Sequence, residues 1–207
     1  DPALMRRDAD ALAAHPHLAI CARDSASYDR LIRNFKNRIL LVPDMAFFID
    51  PRPLRKRNDR HPKGRLVLRR TDKEQGVGRD RFPVAPGART IMADWPSMER
   101  EPWHWRMFTI LLRWGRRARH ARAVWRISDC LVHGSDWFFH HVGRRLLIRQ
   151  GTRFLGHCQA IRSTRLHGAI LAILLDKDVQ IADNRDGKIS AFYKTWLEGV
   201  DGVELVG

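Results

Sequence analysis

The chain has 207 residues, of which 44% are hydrophobic, and its 38 Lys and Arg against 23 Asp and Glu give a formal net charge of +15. This apolar content excludes an intrinsically disordered chain, in which a high net charge accompanies few hydrophobic residues. The length allows one full domain and part of another but excludes two complete large domains. No run of about 18 uncharged apolar residues occurs in the sequence, so we predict no membrane-spanning helix.

The first residues and the cysteines bear on whether the chain is part of a longer protein and on its cellular compartment. The opening DPALMRRDAD has no initiator Met and no secretory signal pattern, so we expect a piece that begins inside a longer protein. Cys21, Cys130 and Cys158 are odd in number and far apart, which matches neither a disulfide framework nor a CxxC metal site. We therefore predict a reducing, cytoplasmic location.

The positive charge is concentrated in the middle of the chain. Residues 51–126 carry 21 basic and 7 acidic side chains, whereas residues 1–50 carry 7 of each. Most of the basic residues are Arg, whose planar set of donors suits phosphate and carboxylate groups. This pattern favours an acidic partner, with a solvated surface in an Arg-rich proteome as the alternative.

Residues 1–50 show two helix–strand units. Apolar residues at helical spacing in 4–14 precede a short strand beyond Pro16, and Ser25 is the predicted cap of a second helix that RILLVPD follows as a strand. Such alternation predicts a parallel α/β layer. We interpret residues 1–50 as the last part of a first Rossmann-like half and the proline-rich, charged segment 51–64 as an exposed linker.

Residues 65–207 are predicted to form a second Rossmann-like half. RLVLRR is a strand, residues 71–90 form a polar loop region, and residues 103–126 are rich in helix, Trp and Arg. One helical stripe there, which we call the apolar stripe, is predicted to face the core. It consists of Trp103, Met107, Ile110, Leu111 and Trp114.

The last third of the chain continues the α/β pattern. A helix is predicted over 136–150, with Val142, Leu146 and Leu147 inward, and a strand ends in AIRST. An apolar helix over 166–175, the strand VQIAD, the loop NRDGK and a final amphipathic helix complete the prediction.

Arg165 and His167 lie where a predicted strand passes into a helix, and Gly168 permits a close approach by atoms of another group. A helix start offers unpaired backbone N–H groups and the positive end of the helix dipole, so this junction is a candidate seat for a phosphate or carboxylate. The alternative is that Arg165 pairs with a neighbouring acid and that His167 is a satisfied, half-buried side chain.

Arg70, Asp72 and Lys73 follow a neighbouring predicted strand and are predicted to line the same sheet edge as Arg165 and His167, and the loop with Asn184 and Lys188 is predicted to face it. These five residues and Asp44 are the candidates for substrate binding, with a solvated side chain as the alternative for Lys188. Asp44 faces an interdomain cleft in one interpretation and caps the next turn in the other. No Cys/His cluster with metal-ligand spacing appears, and GxGxxG, Walker and GxSxG motifs are absent from the sequence, so no metal or nucleotide cofactor is expected.

Four segments together resemble the polysaccharide pyruvyl transferase family, whose members attach a pyruvate ketal to a sugar. They are LLVPDMAF at 40–47, RRTDKE at 69–74, TRLHGAILAILL at 164–175 and ADNRDGKISAFYKTW at 182–196. The resemblance implies an α/β fold of two Rossmann-like halves similar to GT-B glycosyltransferases, with the first half truncated here. It also implies that a fragment of this kind can be inactive by itself.

The resemblance further implies phosphoenolpyruvate as donor substrate and a saccharide acceptor, which in one version is lipid-linked. Arg165 would bind the donor's anionic groups and His167 would act as general acid or base. The expected location is the cytoplasm, with contact to an anionic inner membrane face as an additional hypothesis.

Two other functions remain open on the residues alone. A GT-B nucleotide-sugar glycosyltransferase would share the fold and differ in its donor. The interleaved Trp and Arg of 103–126 are also typical of single-strand nucleic-acid binding, although no binding motif supports it and nucleic acid is not an expected partner.

Overall fold

We describe the protein from a computed structural model. It defines residues 1–56, 62–68, 89–96, 133–134, 136–183 and 187–206, together with single positions between 103 and 114. The chain alternates helices with short parallel strands, so the predicted α/β class is confirmed.

The first region contains both predicted helix–strand units. Its elements are α1 (Pro2–Ala13), β1 (Ala19–Ala22), α2 (Ser25–Asn34), β2 (Arg38–Leu41) and a 3₁₀ turn (Met45–Phe48). β1 and β2 pair in parallel, with Ala19 opposite Arg38. Neither helix contains a fully buried residue, so this region has little core of its own.

The predicted cap of α2 was wrong by one residue. Asp24, in extended conformation, accepts the backbone N–H of Ser27 at 2.7 Å and caps the helix. Ser25 is the first helical residue, and its hydroxyl lies 2.8 Å from that of Thr195 in the last helix. Ser25 therefore joins the two regions of the chain.

The predicted exposed linker is anchored in part. Residues Arg52–Arg55 form a short helix, α3, and Leu54 is buried in the core of the second region. Arg55 donates from Nε to the carbonyl oxygen of Leu174 at 2.9 Å. Leu54 makes the buried contact, while its charged neighbours give the segment the composition of an exposed linker. The domain limits at residues 50 and 64 stay a prediction.

The second region is built on a five-stranded parallel sheet in the order β4-β3-β5-β6-β7. The strands are β3 (Arg65–Leu68), β4 (Thr90–Ala93), β5 (Ala160–Ser163), β6 (Asp178–Ala182) and β7 (Val203–Val206). From β3 the chain moves outward to β4 and then returns to the opposite side of β3 for β5. The strand order reverses between β3 and β5, which is where parallel α/β sheets bind ligands at the carboxyl ends of their strands.

Three helices contribute to one core with alternate residues of this sheet. They are α4 (Arg144–Gly156), α5 (Leu166–Leu174) and α6 (Lys188–Trp196), and their buried residues cluster with Leu66, Ile161 and Val179. α5 is apolar on most of its surface because it lies inside this core, where Ala169 and Ile170 are fully buried. The predicted helix over 166–175 is confirmed.

Several other predictions need correction. β4 and β7 were not predicted, because each has four residues and lacks a continuous buried run. The helix expected over 136–150 contains a π-helical turn (Phe139–Gly143) and continues as α4 to Gly156. Leu146 was predicted to face inward but is exposed, while Val142 and Leu147 are half-buried.

The apolar stripe does not face the core. The described positions 103, 106, 107, 109, 110, 113 and 114 are helical, and Trp103, Met107, Ile110 and Trp114 are all exposed. Leu111 lies outside the described residues. Among the described residues we found no helix long and apolar enough to cross a membrane.

Candidate active site

The candidate site lies where β5 ends, beside the point at which the strand order reverses. Ser163, the last residue of β5, holds the turn into α5, since its Oγ accepts the N–H of Arg165 at 3.0 Å and donates to the carbonyl oxygen of Arg165 at 2.9 Å. Thr164 donates its N–H to the carbonyl oxygen of Leu68 at the end of β3. The turn is thereby fixed to both strands.

Arg165 is held by a carboxylate that follows β4. Its Nε and Nη2 donate to the two carboxylate oxygens of Asp94 at 2.8 and 2.9 Å. The Asp94 side chain is fully buried and that of Arg165 is 16% exposed. Asp94 Oδ1 also accepts the N–H of Trp95 at 2.6 Å. The guanidinium is thus fixed in orientation at the carboxyl edge of the sheet by a bidentate pair.

The pairing of Arg165 with a neighbouring acid, one of the two alternatives, is therefore what the structure contains. Because Asp94 balances the charge of Arg165, attraction of an anion to this point depends on directed N–H groups and on further basic side chains. α5 has no side-chain cap at its start, so its first backbone N–H groups supply such donors.

Gly168 serves packing, not access of a ligand as we had expected. A Cβ atom at Gly168 would overlap the fully buried Leu68 side chain and would lie 3.2 Å from Ser163 Oγ. The missing side chain lets α5 approach the end of β3. Its effect on a ligand is indirect, through the position of the helix start.

His167 lies in the first turn of α5 and is well exposed, with 72% of its side chain accessible. Its Nε2 is 3.3 Å from Oδ2 of Asp44, whose side chain is 12% exposed. The alternative of a half-buried His167 is therefore wrong. The imidazole stands in solvent with one nitrogen directed at a carboxylate from the first region.

Asp44 caps the next turn, as one of the two interpretations predicted, and its side chain also contacts the second region. Its Oδ1 accepts the N–H of Ala46 at 3.0 Å and caps the 3₁₀ turn that follows β2. Its Oδ2 faces His167 in the second region, and Nη1 of Arg23 lies 3.7 Å from the same oxygen. Asp44 and His167, which were predicted independently, are brought together across the boundary between the two sheets.

The remaining predicted residues are less well defined. Lys188 is exposed at the start of α6, which follows Gly187 in a left-handed conformation. Arg70, Asp72, Lys73 and Asn184 lie outside the described residues. Among the residues that the structure describes, no group of three or more His, Cys, Asp or Glu is arranged to hold a metal ion.

Two residues of the site, Asp94 and Arg23, were missed in the sequence. A signal for Asp94 was present, because MAD at 92–94 repeats the pattern of an apolar strand followed by Asp that also occurs in LLVPD and QIAD. Asp94 was not found because the strand β4 before it was not predicted. Arg23 follows β1 directly and carries no comparable pattern.

Comparisons with known proteins agree with these observations. The model of the family described as polysaccharide pyruvyl transferase matches residues 1–179. The Bacillus subtilis (strain 168) protein named "Putative pyruvyl transferase EpsO" is 27% identical over 206 residues, which cover 98% of this chain and 58% of that protein. Pyruvyl transferase 1 of Schizosaccharomyces pombe is 25% identical over 205 residues, covering 94% of this chain and 44% of that protein.

The chain thus spans about half the length of the curated relatives it matches. A crystal structure of a functionally uncharacterized protein from Klebsiella pneumoniae subsp. pneumoniae NTUH-K2044 has a TM-score of 0.51 and 17% sequence identity. It matches 96% of this chain and 59% of that one. At this identity the likeness shows a shared fold.

Proposed function

The chain belongs to the polysaccharide pyruvyl transferase family, and on that premise we propose that the protein transfers a pyruvyl group from phosphoenolpyruvate to a saccharide acceptor, forming a ketal. The observation that carries this proposal is the position of Arg165 and His167 at the start of α5, beside the reversal of strand order. Parallel α/β sheets bind anionic ligands at such helix starts.

The proposed reaction has few steps. The methylene carbon of phosphoenolpyruvate takes up a proton, and the adjacent carbon becomes oxocarbenium-like. One sugar hydroxyl adds to that carbon and loses its proton, and the C–O bond to phosphate then breaks. A second hydroxyl adds to the same carbon and loses its proton, which closes the ketal. Of the two protons lost, one balances the proton taken up by the methylene carbon and the other leaves with the phosphate. The donor's own phosphate is the leaving group, so the proposal assigns no separate cofactor.

We assign the donor's anionic groups to Arg165 and to the first N–H groups of α5. Arg165 supports this assignment because its bidentate pair with Asp94 fixes the guanidinium before any ligand arrives. Lys188 and Arg70 are further candidates for the phosphate, and Asp72, Lys73 and Asn184 for the acceptor or donor. Preorganised donors of this kind stabilise charge that develops in a transition state.

We assign proton transfer to His167. The side chain is exposed, so a substrate can reach it, and imidazole takes and returns protons near neutral pH. His167→Ala is expected to lower phosphate release from phosphoenolpyruvate, measured in the presence of a saccharide acceptor, by about a hundredfold or more. His15→Ala, at an exposed residue of the first region, is the matched control. Undiminished release in His167→Ala would remove His167 from the mechanism.

Donor binding separates this proposal from the nucleotide-sugar alternative. Phosphoenolpyruvate is expected to raise the melting temperature of the chain, and UDP-sugars are not. Arg165→Lys keeps the charge beside Asp94 but loses the forked donor geometry, so it is expected to weaken phosphoenolpyruvate binding by calorimetry. Stabilisation by a UDP-sugar instead, or no loss of affinity in Arg165→Lys, would overturn the donor assignment.

We also propose that the protein works in the cytoplasm against an anionic membrane face, where a lipid-linked saccharide would be available. The apolar stripe supports this, because Trp103 and Trp114 are 76% and 69% exposed within a segment rich in Arg. Exposed Trp beside basic residues is typical of helices that lie in a lipid interface.

Vesicle binding tests the membrane proposal. The chain is expected to co-sediment at low salt with vesicles of phosphatidylglycerol and phosphatidylcholine, and Trp103→Ser with Trp114→Ser is expected to reduce the bound fraction severalfold. Trp137→Ser is the control, since Trp137 is also exposed but lies outside the apolar stripe. Equal binding by all three proteins, or none by the unchanged chain, contradicts the proposal.

A further inference from the structure

The two oxygens of the Asp44 carboxylate make different contacts. Oδ1 accepts the N–H of Ala46 at 3.0 Å, which fixes the orientation of the carboxylate on the 3₁₀ turn. Oδ2 lies 3.3 Å from Nε2 of His167. Only 12% of the Asp44 side chain is exposed, and Nη1 of Arg23 lies 3.7 Å from the same oxygen. The 3.3 Å between Nε2 and Oδ2 is within ion-pair distance and just beyond the usual range of an N–H···O hydrogen bond.

This contact favours one of the two neutral tautomers of His167. An ionised carboxylate can only accept hydrogen bonds, whereas each nitrogen of a neutral imidazole either donates or accepts. With Oδ2 facing Nε2, the tautomer with hydrogen on Nε2 is stabilised. Nδ1 is then left with a lone pair, and it is the nitrogen that can accept a proton from a substrate hydroxyl.

The two partners are held together by contacts between the regions that carry them. Phe47, on the same 3₁₀ turn as Asp44, packs in parallel on Phe192 of α6 with ring centroids 6.2 Å apart. Trp196 donates from its indole nitrogen to the carbonyl oxygen of Arg23 at 2.9 Å. These contacts and the Ser25–Thr195 hydroxyl pair form what we call the seam.

We infer that Asp44 is a positioning residue, which holds His167 in the Nε2–H tautomer so that Nδ1 is the basic atom of the site. This inference rests on the proposed function for its catalytic consequence. The tautomer itself is a property of the folded chain and can be measured without substrate.

Nitrogen NMR of chain labelled at its histidines tests the inference directly. Spectra are recorded at about pH 8.5, above the ordinary imidazole pKa of about 6.5, and the signals of His167 are assigned by their loss in His167→Gln. We expect a protonated Nε2 and an unprotonated Nδ1. A His167 with its proton on Nδ1, or with both tautomers equally populated, overturns the inference with no need for an Asp44 variant.

Asp44→Asn gives the second test. Its amide oxygen can still accept the N–H of Ala46, but its NH₂ group then faces Nε2 and favours the opposite tautomer. We expect Nδ1 of His167 to become the protonated nitrogen and Nε2 the unprotonated one. We also expect kcat to fall on the order of a hundredfold or more, with KM for phosphoenolpyruvate little changed. An unchanged spectrum in Asp44→Asn contradicts the inference.

Asp50→Asn is a matched control. Asp50 Oδ1 accepts the N–H of Arg52 at 3.0 Å, so it caps the following turn in the same way. This variant is expected to leave the His167 signals and kcat unchanged. If the tautomer shifts as expected in Asp44→Asn but a UDP-sugar and not phosphoenolpyruvate raises the melting temperature of the chain, the proposed donor fails and the inference about His167 stands.

Discussion

The region up to Phe48 and the region from Arg65 onward support their functional residues in different ways. The second region has a continuous core, in which Phe192, Leu155 and Ile170 are fully buried. The first has a two-stranded sheet and helices without buried residues, and two-stranded sheets are marginally stable by themselves. Its Asp44 is therefore held in place by its contacts with the second region.

Arg165 and His167, on either side of Leu166, are held in these two different ways. Arg165 is paired with Asp94 inside one sheet, whereas His167 is paired with Asp44 across the seam. The group proposed to bind the anion is thus fixed by the core, and the position of the group proposed to transfer protons depends on how the two regions meet. Changes to the core and changes to the seam should affect stability and catalysis separately.

Removal of the buried Asp94 carboxylate should have the largest effect on stability. Asp94→Ala leaves the Arg165 charge with 16% of its side chain exposed and its bidentate partner gone. We expect a loss of about 3 kcal/mol in unfolding free energy, because breaking a buried ion pair leaves an uncompensated charge. Urea denaturation measures it. Asp8→Ala, which breaks an exposed pair with Arg7, is the control and should leave stability nearly unchanged.

Gly168→Ala should have the second largest effect on stability. It should disturb both the pair of Arg165 with Asp94 and that of His167 with Asp44. The new methyl group would overlap Leu68 and displace the start of α5, which carries Arg165 and His167. Overpacking of this kind costs about 2 kcal/mol. Thermal denaturation, with Gly134→Ala as a control where a Cβ meets nothing within 4 Å, measures the difference. A shift of equal size in both variants would show that the packing around Gly168 is not tight.

The buried thiol of the second region makes stability depend on pH. Burial raises the pKa of the Cys158 thiol above its ordinary value of 9.0, with a smaller opposing effect from Lys177. Above that pH the unfolded thiol loses its proton while the folded one keeps it, so the unfolded state binds fewer protons and stability falls. The fall should be at most about 1.4 kcal/mol per pH unit and end at the folded pKa.

Denaturation at a series of pH values checks this prediction. The decline above pH 9 should be shallower in Cys158→Ala than in the unchanged chain. Cys21→Ala, at an exposed position of β1, serves as the control and should reproduce the unchanged slope. Identical slopes in all three proteins would mean that Cys158 is not buried in the core.

The smallest effect on stability is expected at the seam. Ser25→Ala removes a hydroxyl pair with Thr195 that is exposed to solvent, at a cost of about 0.5 kcal/mol. Its signature is that hydrogen exchange should accelerate in α2 and not in α5. Acceleration throughout the chain would indicate that the two regions unfold as one unit.

The sequence predicted the elements that have strong periodicity or apolar runs. α5 and its flanking strand β5 were predicted because a buried apolar helix after a short strand leaves a clear pattern. Strand β4 and therefore Asp94 were not predicted, since four residues after a polar segment carry little signal. The contact of His167 with Asp44 was also beyond sequence reasoning, because it depends on how two sheets meet and not on spacing along the chain.

The apolar stripe shows a different limit. Helical periodicity correctly identified residues that share one face, but periodicity does not reveal whether that face meets the protein core or solvent. In the described residues the face is exposed. Whether the face is buried depends on the tertiary environment, which local spacing does not encode.

The 3₁₀ turn at Met45–Phe48 has a consequence for how such a protein can vary. Asp44 caps this turn and Phe47 lies within it, so one short turn carries both the carboxylate and the aromatic ring. A substitution at Phe47 or Phe192 that displaces the ring is expected to shift the turn and the Asp44 carboxylate with it. Hydrophobic residues that never touch a substrate would in this way tune the chemistry of the imidazole.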